Sequence, residues 1–257
     1  MIAAVVPARN ESRRIVYPLA GCLSVPVDLV IPVLNGCEDD TGDWVEKFRD
    51  RRIQPLRFKA PLGVDVPRAV GAKEALRRGA RAVLFVDGDL EGRIGRHLRD
   101  LVKAVERGLD LALSQCLPAI PAGSGLAREV YSFRERLSRQ LGLPGAASPS
   151  HGPSAVSERF LRVIPIRELA VPPVALALAR RAGLEIGIGT HLPHHRLGSA
   201  TRGREHSETM AHTIIGDCLE ALAVWENRPR SRSHEGKEYL GYAAGRRWDL
   251  LDQFLKK

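Results

Sequence analysis

Asp87 and Asp89 close the segment AVLFVDGDLEG at residues 82–92, with Gly88 between them and Glu91 just beyond. Two carboxylates so close repel each other and resist burial, so the pair needs a neutralising partner. Residues i and i+2 of an extended chain point the same way, and Gly88 lets the backbone bend so that one or both acids reach a common point. A hard divalent cation, Mg²⁺ or Mn²⁺, would cancel the repulsion and clamp a diphosphate, because such ions take a carboxylate or two plus phosphate oxygens. The plain alternative is a strand-end turn with solvated acids. His191, His194 and His195 of HLPHHR read as a polar loop after a strand, although imidazole suits Mn²⁺ at least as well as Mg²⁺.

Anion-binding candidates lie elsewhere. Lys73 reads as sitting near a helix start, where an ammonium and free backbone N–H groups suit an anion, although a surface lysine is the commoner reading. Gly123, Ser124 and Gly125 make a turn that exposes backbone donors, and Arg128 adds a fork suited to phosphate or carboxylate. Ser150, His151 and Gly152 begin another loop whose small residues allow close approach to a ligand.

These groups need a frame. Apolar runs at 2–6, 27–34, 53–58, 82–86 and 109–113 alternate with helical patterns at 12–24, 41–51, 67–79 and 94–108. Strands buried on both sides and separated by helices imply an α/β fold, a mainly parallel sheet with helices on both faces. Ligands then bind beyond the carboxyl ends of the strands, which brings PARNE, NGCEDDT and DGDLEG to one crevice.

Composition narrows the partners. The 257 residues carry 39 Lys plus Arg against 30 Asp plus Glu, a net charge of +9 that favours anionic ligands. Nucleic acid is disfavoured, because aromatics are only 5% and no zinc-finger or RNP-like pattern is present. Cys22, Cys37, Cys116 and Cys218 are scattered without ligand or disulfide spacing, and no leader or apolar span stands out, so a cytoplasmic setting is expected. Peripheral membrane contact stays open. Residues 228–257 are dense in Arg and end in an amphipathic run, Trp248, Leu251, Phe254 and Leu255, expected to pack on the main domain or on a second subunit as a homodimer.

Three segments in order resemble the family-2-like GT-A glycosyltransferases. VVPARNESRRI is similar to their first strand and turn; VLNGCEDDT at 33–41 resembles the second-strand motif, with Asn35, Gly36, Asp39 and Thr41 in register; GAKEALRRGARAVLFVDGDL resembles the run from a Gly/Lys-rich helix to the DxD. GSGLAREVYSFRERL at 123–137, HGPSAVSERFLRVIP at 151–165 and ALALARRAGLEIGIGTHLPHHR at 175–196 look like the glucosyl-3-phosphoglycerate synthase and mannosyl-3-phosphoglycerate synthase group.

The resemblance implies a Rossmann-like nucleotide-diphospho-sugar transferase fold over 1–200, with a nucleotide half at 1–115, an acceptor half at 116–200 and a helical extension at 201–257. It implies Asp89 on the metal, with Asp87 on its water or the ribose, and His195, followed by Arg196, as the further metal ligand. Pro7, Ala8, Arg9 and Glu11 would line the nucleoside pocket with Asn35, Lys73, Asp87 and Gly88, and Asp39 would face the base; the family's lysine falls on Ala72, one position before Lys73. Gly123, Ser124, Gly125, Arg128, His151 and Gly152 would hold a small anionic acceptor. Inverting members carry an acid as base before the helix at 172–182; only Glu168 is near, out of register, which points to retention. A polyprenyl-phosphate acceptor, a nucleotidyltransferase and a non-catalytic sugar-nucleotide-binding protein are the rival readings.

Overall fold

In the computed structural model, residues 1–117, 125–199 and 202–256 are described. Five strands alternate with four helices over the first half: β1 (Ile2–Ala8), α1 (Val16–Leu23), β2 (Leu29–Asn35), α2 (Thr41–Glu46), β3 (Leu56–Phe58), α3 (Val66–Arg77), β4 (Ala82–Phe85), α4 (Gly95–Glu106) and β5 (Leu111–Gln115). There follow α5 (Gly125–Gln140), β6 (Ser154–Ser157), α6 (Glu158–Val163), α7 (Pro172–Arg181) and β7 (Ile186–His191). The chain ends in α8 (Arg204–Trp225), the small hairpin β8 (Ser233–His234) and β9 (Lys237–Glu238), and α9 (Trp248–Leu255).

Seven strands form one sheet in the order β3-β2-β1-β4-β6-β5-β7. Every pairing in it is parallel except those of β6, which runs antiparallel between β4 and β5. Strand alternation explains the two-sided burial: Ala3 and Val5 of β1, Ile31 and Val33 of β2 and Phe85 of β4 enter one core with α3 and α5 to α9. Ala4 and Val6, Val30 and Leu34, and Leu84 enter the other, with α1 and α4. The contact is close where α3 crosses β1: a Cβ on Gly71 would lie 2.2 Å from Val5 Cγ1, so only glycine lets helix and strand meet at this distance.

Residues 202–256 are built onto this frame. Helix α8 sends Ile215, Cys218, Leu219 and Leu222 into the first core. Helix α9 spends its apolar face on the chain itself, with Leu251 buried, Phe254 edge-on to Phe58 at 5.8 Å and Arg167 over the Trp248 ring at 4.2 Å.

Candidate functional site

The carboxyl ends of β1 and β2 release loops that are stitched together. Asn10 accepts from the Glu38 N–H at 2.9 Å, the Thr41 hydroxyl accepts from the Glu11 and Ser12 N–H groups at 2.8 and 2.7 Å, and Ser12 donates to Asp40 at 2.6 Å. Asp39 accepts from the N–H groups of Ser12 and Thr41, both at 3.0 Å. The acids of this region thus first hold the two loops in one shape, leaving Arg9 exposed at the rim. Asn35 is buried and spends its amide on the next loop, accepting from Leu62 N–H at 2.5 Å and donating to the Gly63 carbonyl at 3.2 Å.

The Asp87-Gly88-Asp89 turn lies hard against β1. Gly88 donates to the Pro7 carbonyl at 3.0 Å, and a Cβ there would come within 2.6 Å of that oxygen and 3.0 Å of Ala8 Cβ. Pro7, Ala8 and Gly88 are therefore brought together. The loop then pairs with the segment following β7: Gly92 donates to the Leu197 carbonyl at 3.0 Å and Glu91 to the Gly198 carbonyl at 3.4 Å. That segment carries HLPHHR, whose residues 194–196 form an exposed single turn of 3-10 helix.

Four cations answer the question of what neutralises the acids. Arg68, in the first turn of α3, reaches Asp87 and also binds Asp65 at 3.1 Å. Burial and the neighbouring Asp89 push the Asp87 carboxyl up, against the pull of Arg68. Arg202 binds Glu11 at 2.8 Å and stands 3.8 Å from Asp89, while Arg14 joins Glu11 at 3.4 Å to Glu91 at 3.2 Å. Burial raises Glu11, with Arg202 opposing. Behind them Arg246 stands 3.6 Å from Asp65 and makes a two-pronged bond to Asp217 at 2.7 and 2.8 Å.

This donor set fits a hard cation. Among the described residues Asp89 has only the long contact to Arg202, so its oxygens are open to an ion, whereas Asp87 gives its Oδ1 to Arg68 and keeps Oδ2 free. No group of three His, Cys, Asp or Glu converges among the described residues. An ion at Asp89 would therefore have at most one further side chain of these types and would complete its shell with ligand phosphates and water, which Mg²⁺ and Mn²⁺ accept.

On the acceptor side, His151 Nε2 and His194 Nδ1 lie 3.0 Å apart, bringing the loop before β6 to the loop after β7. Burial, then the charge of Arg134, pulls both imidazoles below their usual range. Gly152 has φ +78°, and a Cβ there would lie 2.8 Å from Cys116 Sγ. Gly125 opens α5 and Arg128 lies exposed in its first turn, so neither belongs to a free turn; Gly123 and Ser124 lie outside the described residues.

Lys73 requires a correction. Helix α3 starts at Val66, so Lys73 is in its second turn, away from the free N–H groups that an anion would use. Arg68, one turn earlier, is the cation that meets the DxD. Sequence reading also missed Arg202 and Arg246, whose partners lie 191 and 29 residues away. The only available signal was the density of arginine in the last third of the chain.

Asp65 gives this network a pH signature. It stands at φ +60°, which Asn tolerates as readily as Asp. Burial raises its carboxyl from 3.8 to about 6 despite Arg68 and Arg246. Because folding favours the protonated form, the contribution is complete below pH 3.8 and is lost as pH rises through about 6. Unfolding free energies from urea titrations between pH 4 and 7 should contain an Asp65-dependent fall of about 1–3 kcal/mol that D65N removes. An unchanged slope in D65N would contradict the assignment.

No protein-family model matches the chain, and no curated protein matches its sequence. Solved structures do match. Glucosyl-3-phosphoglycerate synthase from Mycobacterium tuberculosis, in complex with Mn²⁺, UDP and phosphoglyceric acid, superposes with a TM-score of 0.65 at 19% identity over 90% of this chain and 80% of that one. The same enzyme with phosphoglyceric acid gives 0.65 at 20% over 90% and 82%. S. aureus TarS 1-349 in complex with UDP-GlcNAc gives 0.51 at 17% over 88% and 72%. The mainly parallel sheet, its helices on both faces and these superpositions together show that the chain has the GT-A fold that its motifs resemble.

Proposed function

We propose that the chain is a metal-dependent glycosyltransferase that moves a hexose from a nucleoside diphosphate sugar, a UDP-sugar first among them, to a small anionic acceptor of the phosphoglycerate kind. One observation carries this reading: Asp89 stands at the carboxyl edge of the sheet beside Glu11 and Arg202, with the loops after β1, β2, β4 and β7 converging on it. The neighbours crystallised with UDP or UDP-GlcNAc, and with Mn²⁺ in the synthase, support the choice of donor and ion.

Asp89, with His195 on the adjoining turn, would hold Mg²⁺ or Mn²⁺, which when bound neutralises the diphosphate as it leaves. Glu11, now paired with Arg202, would accept from ribose hydroxyls with Arg202 moved toward the diphosphate, and Pro7, Ala8, Arg9 and Gly88 would line the approach. Arg68 holds Asp87 toward the same edge. Glu168, the sole acid of the stretch 166–181, is 2.9 Å from Arg230, which favours retention of configuration, since a leaving-group oxygen can then take the acceptor proton.

Incubation of UDP-, GDP- and ADP-glucose with Mn²⁺ and 3-phosphoglycerate should release nucleoside diphosphate only when the acceptor is present. Anomeric NMR of the product would read retention. Binding without transfer to 3-phosphoglycerate or to a polyprenyl phosphate would favour a non-catalytic binder, and pyrophosphate release from nucleoside triphosphate plus sugar phosphate would favour a nucleotidyltransferase. No helix among the described residues is long and apolar enough to cross a membrane, so the polyprenyl variant would show itself by sedimentation with vesicles.

A further inference from the structure

Arg134 on α5 is 5% exposed, yet among the described residues its Nε has no hydrogen-bond partner and its one bond is a long one, from Nη2 to the Ser150 carbonyl at 3.5 Å. Guanidinium carries five N–H donors. The groups near enough to influence it are the thiols of Cys116 and Cys218 and the imidazoles of His151 and His194; none is a carboxylate. No ion pair among the described residues includes Arg134, and residues 118–124, 200, 201 and 257, read as PAIPAGS, Ala, Thr and Lys, contain no Asp or Glu. A buried cation without a counter-charge is costly, and arginine cannot escape by losing its proton.

The surroundings are built to receive a charge. Ser138, one turn beyond Arg134 on α5, donates to the Ala147 carbonyl at 3.0 Å, so the same helix face meets the 147–151 loop. Within that loop the hydroxyls of Ser148 and Ser150 are 2.9 Å apart, and His151 reaches His194 at 3.0 Å. Because β6 runs antiparallel, the loop that leads into it lies at the carboxyl edge of the sheet, the edge that bears Asp89. Cys116, at the end of β5, joins the two places: it contacts the His151 carbonyl at 3.5 Å and lies within the electrostatic reach of both Arg134 and Asp87.

We propose that Arg134 and the Ser148–His151 loop form a seat for a compact oxyanion, a carboxylate or a phosphomonoester, with the guanidinium as its fork and the two hydroxyls as additional donors. The seat rests on the glycosyl-transfer reading only in assigning this oxyanion to the acceptor. Arg134 would then decide which acceptors are taken, selecting for charge at one end of a small molecule.

Calorimetric titration in an anion-poor buffer tests it, with inorganic phosphate, 3-phosphoglycerate, glycerol 3-phosphate and glycerate as probes. At least one probe should bind wild type and weaken tenfold or more in R134M; a response to glycerol 3-phosphate alone assigns a phosphate, and one to glycerate alone a carboxylate. R134K retains the charge without the fork and should weaken binding at least threefold, which decides the matter if R134M fails to fold. Equal affinities in wild type and in the folded variant, or no binding by wild type, would overturn the seat. UDP-glucose with Mn²⁺ is titrated separately into wild type. Failure there, with an Arg134-dependent oxyanion response intact, supports the seat and overturns the sugar-transfer reading instead.

Discussion

Asp89→Ala should abolish the Mn²⁺-dependent stabilisation of the protein by UDP-glucose and lower transfer at least about 100-fold, the upper end of what even indirect partners of a metal ligand cost. The reason is structural economy. Asp87 gives one oxygen to the buried Arg68, and Glu11 gives both to Arg202 and Arg14, so among these three Asp89 is the carboxylate with no close cation. A ligand at 100 times its Kd adds about 2.7 kcal/mol to stability, so thermal shift has room to show the loss. Without ligand, D89A should stay within about 1 kcal/mol of wild type, because what it removes is one partly exposed contact at 3.8 Å. Equal ligand-induced shifts in D89A and wild type would leave the proposed site without its ion. Asp87→Asn is the contrasting variant: it strips a buried arginine of a partner and should lower stability with or without ligand.

The parallel strands were legible because burial on both faces writes continuous apolar runs, as IAAVV and AVLFV do. Strand β6 was not, since SAVS is four residues long and framed by serines; its place comes from pairing with Leu84 and Ala112 on both sides. The DxD and the turn after β7 could be read as neighbours through resemblance, and the Gly92–Leu197 bond gives the physical cause. What spacing cannot show is a partner supplied from far along the chain. Glu11 meets Arg202, and Arg134 meets no carboxylate among the described residues, and neither fact leaves a periodic or local trace. Asn35, Asp39 and Thr41, in register with a family motif, first serve to hold loops together, a role that the same polar types would fill with or without a ligand.

Asp217→Asn should cost about 3–5 kcal/mol, a fall of about 10 °C in Tm, the largest stability loss expected from one polar substitution here. Asp217 is 3% exposed at its side chain and takes two bonds from Arg246, itself 1% exposed, and one at 2.6 Å from Arg232. Removing its charge leaves two arginines facing each other with, among the described residues, only Glu220, 2.8 Å from Arg232, and Asp65, 3.6 Å from Arg246, to share between them. The loss should also travel. Arg246 is joined through Asp65 to Arg68 and so to Asp87, and the Arg247 N–H bonds the Leu62 carbonyl in the loop that Asn35 holds. A D217N protein should therefore bind UDP-glucose and Mn²⁺ more weakly even at a temperature where it is fully folded. Replacing the pair together, as D217L/R246M, should recover part of the stability, because well-packed apolar groups often match a buried ion pair. It should not recover the binding, because Asp65 and Arg68 would still lack their brace. If D217N melts within 2 °C of wild type, the buried charges are independent of one another and the C-terminal helices merely cover the sheet.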